Sequence, residues 1–100
     1  MLFSRLYRSL IYTVQRFVNG YENMHYGISS DLPPEKVMDK AAEYFGKLGL
    51  KVTDRQKDTL CMEGGGGYIT LTVCGGQETD VDVITQEWND QVKQFLQRIG

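Results

Sequence analysis

Residues 59–85 read TLCMEGGGGYITLTVCGGQETDVDVIT, and the fold is decided there. Leu60 and Met62, then Ile69, Leu71 and Val73, then Val81 and Val83 alternate with more polar neighbours. Period-two alternation of this kind marks strands with one buried and one wet face. The glycine run 64–67 and the stretch Gly75-Gly76-Gln77-Glu78 separate the three strands. Links so short force neighbouring strands to run antiparallel. Taking Gly64–Gly67 as the first loop pairs Glu63 with Tyr68, Met62 with Ile69 and Leu60 with Leu71, so that every inward residue meets an inward one. The same requirement places Val73 opposite Val81 and Leu71 opposite Val83, with a loop at Gly76–Glu78.

Upstream, Leu50–Arg55 alternates in the same way and adds a strand, as does Met24–Ser29, where Met24, Tyr26 and Ile28 share one side. Between them, Asp31-Leu32-Pro33-Pro34-Glu35 has the composition of a helix start. Prolines suit a first turn, whose amides have no intrahelical partner, and acids there complement the dipole. Val37, Ala41, Tyr44, Phe45 and Leu48 follow on one face, and Gly49 is the natural stop. Downstream, Trp88, Val92, Phe95, Leu96 and Ile99 recur at offsets of 0, 4, 7, 8 and 11, which gives a closing helix with one apolar face. Trp88 is expected to be largely buried, anchoring that helix to the sheet. The expected class is therefore α+β: an antiparallel sheet of about five strands, in the order β-α-β-β-β-β-α, covered on one face by two helices.

Residues 1–21 differ in character. Phe3, Tyr7, Leu10, Val14, Phe17 and Tyr21 are spaced 4, 3, 4, 3 and 4 apart, the spacing of heptad positions on one side of a helix. Leu2, Leu6, Ile11 and Val18 widen the stripe, and glycine at 20 or 27 ends it. The domain division read from this is an N-terminal amphipathic helix over 1–21 and a single α+β domain over 22–100. Three partners for the stripe stay open: the chain's own domain, a second copy, and an anionic membrane surface. A dimer is the expected outcome, with those six residues as interaction residues and a further protein partner as an option. Three arginines add only about 3 kcal/mol of membrane attraction, so a membrane surface is not the expected partner.

Composition sets outer limits. One hundred residues, 41% of them hydrophobic and 24% charged, form one globular domain rather than a disordered chain. The net charge of −2 divides into +3 over residues 1–21 and −5 over the rest. An acidic domain repels a phosphate backbone, which argues against nucleic acid as a partner. Arg5, Arg8 and Arg16 break up the one apolar stretch that approaches a membrane span or a secretory signal. With two cysteines and no such signal, a reducing, cytoplasmic setting is expected.

From Met24 onward, HYGISSDLPPEKVMDKAAEYF (residues 25–45), the four-strand meander and the long last helix resemble TATA-binding-protein-like and START-type helix-grip domains. The resemblance covers about three quarters of the chain, in the order of its elements and not in any motif. For the START type it implies a ligand cavity under the last helix, although such domains have more strands and an extra helix. For the TATA-binding type it implies a basic nucleic-acid face, where this chain carries Glu78, Asp80 and Asp82.

No residue pattern identifies an enzyme. The Gly64–Gly67 run lacks the following helix and Lys-Ser/Thr pair of a phosphate loop, which leaves a hairpin loop or a binding flap. Cys61 faces Thr70 in the register above, so Cys74 lies about 13 Å further along and the thiols are free. His25, the single histidine, sits on the sheet face away from the core with Ser29, Thr53, Cys61, Tyr68, Thr70 and Asp82, and no nucleophile motif accompanies it. No catalytic, metal or cofactor residue is assigned. The alternative to an interaction module is a small-ligand binder that uses a groove between sheet and closing helix, with Gly65, Gly66, Tyr68 and Trp88 at its mouth.

Overall fold

A computed structural model describes residues 12–18 and 21–100, with side chains from Met24 onward. Strands β1 (Tyr12–Val18) and β2 (Tyr21–Ser30) lead into helix α1 (Pro34–Lys47). The meander β3 (Lys51–Arg55), β4 (Thr59–Gly64), β5 (Gly67–Cys74) and β6 (Thr79–Gln86) follows, and helix α2 (Asn89–Ile99) closes the chain. The sheet is antiparallel throughout, in the order β1-β2-β6-β5-β4-β3. The order β-α-β-β-β-β-α expected from residue 24 onward is present, and so is the meander's register. Met62 lies opposite Ile69, Leu60 opposite Leu71, and Val73 opposite Val81.

Both helices lie on one face of this sheet. Val37, Met38, Ala41 and Phe45 of α1 and Val92, Phe95, Leu96 and Ile99 of α2 are buried with Tyr26, Ile28, Leu60, Met62, Ile69, Leu71, Val73, Val81 and Val83. The rings of Phe45 and Phe95 lie 5.3 Å apart, and Tyr44 meets Phe45 edge-on at 5.1 Å. These are separations at which aromatic pairs attract beyond their area burial.

The ends of α1 follow from local chemistry. Pro34 opens it, and the Val37 amide donates to Pro33 O at 3.1 Å. At its end the Leu50 amide reaches Phe45 O and the Gly49 amide reaches Gly46 O, each at 3.1 Å, with Gly49 at φ +103°. That is a Schellman stop, whose usual apolar contact is supplied by the buried Phe45 and Leu50. The α2 C-terminus is held differently. The Ser30 hydroxyl donates to Ile99 O and accepts from the Leu32 amide, while Thr79 Oγ1 donates to Leu32 O at 2.6 Å.

The helix expected over 1–21 needs correction where the structure describes it. Tyr12–Val18 is a strand, paired with β2 from Tyr12↔Gly27 to Val18↔Tyr21 without a register shift. Five of its seven residues are β-branched or aromatic, types that favour strands, and β2 supplies the hydrogen-bonding edge that local periodicity does not register. Residues 1–11, and with them most of the predicted helix, lie outside the described residues.

Candidate functional site

The face of the sheet away from the helices is built from the other half of each alternating strand. Along β6, Val81 and Val83 are fully buried, whereas Asp80 is exposed and Ile84 retains 37% of its surface. Neighbouring strands contribute Tyr68, Thr70, Thr72 and Cys74 from β5 and His25 and Ser29 from β2. Two cross-strand polar contacts organise its β2–β6 half. His25 Nε2 lies 3.2 Å from Asp82 Oδ1, and Ser29 Oγ donates to Asp80 Oδ1 at 3.1 Å. Sequence reasoning placed His25 and Asp82 on this face; the structure adds their contact, and gives the serine a different carboxylate. His25 and Ser29 are four residues apart on one strand, about 13 Å, so they do not form one nucleophile–base unit. Cys61 and Cys74 are both free thiols, as their register predicts.

The glycine run has a structural explanation. Gly64 and Gly67 face each other as the last pair of the β4–β5 ladder, leaving a two-residue turn at Gly65 (φ +58°) and Gly66 (φ +82°). Two consecutive positive φ angles are what a hairpin turn matching the sheet's twist requires. The turn is held on both flanks. Trp88 Nε1 donates to Gly64 O at 2.8 Å, and a Cβ on Gly65 would stand 2.7 Å from the Trp88 ring. A Cβ on Gly67 would stand 2.1 Å from Gln86 O, which only a hydrogen at that position avoids. Trp88 is thus half-buried against the core and the turn, less enclosed than its sequence context predicts. Of the four proposed groove residues, Gly65 and Trp88 are brought together, Gly66 is the exposed tip, and Tyr68 lies opposite Gln86 at the end of β5.

A different concavity, not anticipated from sequence, runs between the two helices and encloses about 620 Å³. Its lining includes the buried Phe95 and Ile99, the apolar Tyr44 and Leu48, and the cations Lys40 and Arg98. The Arg98 guanidinium lies 5.3 Å over the Tyr44 ring, and the Tyr44 hydroxyl faces Gln94 Oε1 at 3.4 Å. The signal for it was present: Tyr44 and Leu48 sit at the border of the apolar stripe of α1, where one of them stays 43% exposed.

The two edges of the sheet are the remaining candidate surfaces. At one edge, β3 is entirely exposed, breaks register between Val52 and Asp54, and carries Lys51, Asp54 and Arg55. Arg55 is bound to Asp39 of α1. At the other edge stands β1. Of the predicted interaction residues, Val14 and Phe17 belong to β1 and Tyr21 begins β2, while Phe3, Tyr7 and Leu10 lie outside the described residues. Among the described residues there is no group of acids, cysteines or histidine with metal-binding geometry, and no helix long and apolar enough to cross a membrane. No protein-family model, no curated protein and no solved structure matches this chain.

Proposed function

We propose that this chain is a non-enzymatic interaction module that associates with a second copy, or with a protein partner, through its N-terminal segment, residues 1–21. The observation that carries the reading is the place of β1. It comes from the most apolar segment of the chain, yet it stands at the outermost position of the sheet. An apolar, arginine-bearing segment beside an otherwise acidic domain is suited to meeting another surface. Free thiols at Cys61 and Cys74 fit a reducing, cytoplasmic setting for such a module. Size-exclusion chromatography with light scattering on the full chain is the test. A mass above one chain, falling to one chain in Phe3→Asp/Leu10→Asp, is expected. A single-chain mass at every concentration, together with no partner recovered, defeats the reading.

A second reading has its own observation in the interhelical groove beside Tyr44 and Leu48, whose size suits a small ligand. In that case Leu48→Arg abolishes ligand-induced thermal stabilisation and leaves association unchanged.

A further inference from the structure

We infer that β1 is the strand through which two copies of this chain join, pairing antiparallel along its outer edge so that two six-stranded sheets become one. The inference rests on the self-association proposed above and adds to it the occupant, the element and the register.

On its inner side β1 is fully used, with seven consecutive partners in β2. Among the described residues no strand lies beyond it. A strand so placed directs about half of its amides and carbonyls away from the sheet, where they form a template for a further strand. The opposite edge shows how this chain guards such a template. Strand β3 is short, bulged between Val52 and Asp54, and bears Lys51, Asp54 and Arg55, three devices that oppose edge-to-edge pairing. Strand β1 is neither short nor bulged and has one charge where β3 has three. It is seven residues long, keeps one register, and carries Arg16 as its one charge among Tyr12, Thr13, Val14, Gln15, Phe17 and Val18.

The asymmetry of the edges also selects the partner. Pairing β1 with β3 of another molecule would propagate without closing, and the guarded β3 edge opposes it. Pairing β1 with β1 closes at two copies through a two-fold axis and leaves the two β3 edges at the ends. Charge then selects the register. A two-fold centred on Arg16 would place two like-charged residues at one cross-strand position, a destabilising pair. Centring it on Gln15 sets Arg16 opposite Val14 of the second copy, Thr13 opposite Phe17, and Tyr12 opposite Val18. No two charges then face each other, and Arg16 meets a strand-favouring residue.

The register supplies the test, because residue 15 then faces itself within disulfide reach. In full-length chain carrying Cys61→Ser and Cys74→Ser, Gln15→Cys is expected to form a covalent dimer on mild oxidation, whereas Gln94→Cys on α2 is not. In the unaltered chain, amide exchange over residues 12–18 is expected to slow about tenfold or more as concentration is raised through dimerisation, with β3 unchanged. A two-chain mass with neither the residue-15 crosslink nor concentration-dependent protection of β1 overturns this inference and leaves the interaction module standing. A single-chain mass at every concentration overturns this inference, and together with no partner recovered it overturns the interaction module as well.

Discussion

Val83 and Ile84 are neighbours on β6, yet one side chain is fully buried beneath the helices and the other keeps 37% of its surface on the opposite face. The two faces of the sheet are built on different principles. The inner face is apolar from Tyr26 on β2 to Met62 on β4, and aromatic side chains from α1 and α2 close over it. The outer face between β2 and β6 is ordered by paired polar groups, His25 with Asp82 and Ser29 with Asp80. Packing on the inner face is non-directional and exacting in volume, so it specifies the fold. Exposed polar pairs add little energy and leave that surface free to vary with function.

If that division is right, substitutions separate by face. Phe45→Ala, at a fully buried ring between Tyr44 and Phe95, is expected to cost about 3–5 kcal/mol in denaturant unfolding. A loss below about 1 kcal/mol there would break the comparison. Next comes Gly67→Ala, which drives a Cβ toward backbone and is expected to cost about 2–3 kcal/mol, with Gly66→Ala milder because its Cβ meets nothing within 4 Å and only the strain of φ +82° is left. Ser30→Ala, which removes the hydroxyl linking Ile99 O to the Leu32 amide, should lower stability by about 1–2 kcal/mol. Glu87→Gly sharpens the picture in the other direction. Glu87 holds φ 76°, so glycine there should raise the thermal midpoint by an amount equivalent to roughly 1 kcal/mol. The smallest effect is expected on the outer face, where Asp82→Asn, at a 41% exposed carboxylate, should change stability by about 0.5 kcal/mol or less.

The legible parts of this fold were those whose signal is local and repeated. Alternation in residues 59–85 located the meander strands and also their register, because a one-residue slip would turn Leu60, Met62, Ile69 and Leu71 outward together. Pro33-Pro34 and Gly49 bracketed α1 for reasons confined to its own ends. Strand β1 was missed because its stability lies in a partner. The 4-3-4-3-4 spacing through Tyr21 spans more residues than the brief alternation inside 12–18, and the longer pattern prevailed. The signal able to correct it was Asn19-Gly20, the strongest short-range hairpin pair, standing between Val18 and Tyr21, which face each other. The candidate site was less legible. The outer-face residues were assigned to the right side of the sheet, but Trp88 resting on Gly65 and the groove beside Tyr44 depend on how helices cross a sheet, which spacing does not encode.

A run of four identical glycines should leave a hairpin free to slide, since no side chain distinguishes one alignment from the next. Here the surroundings make the distinction. A Cβ on Gly64 would stand 3.0 Å from Leu50 Cα, one on Gly65 would meet the Trp88 ring, and one on Gly67 the Gln86 carbonyl. Sliding the hairpin to bring Tyr68 into the place of Gly67 would set a Cβ where only a hydrogen fits, and bringing Glu63 into that of Gly64 would press one on the backbone at Gly49 and Leu50. The glycines therefore act as a gauge whose graduations are cut in the neighbouring chain: the α1–β3 link, the β4–β5 turn and the β6–α2 link assemble in one alignment or not at all.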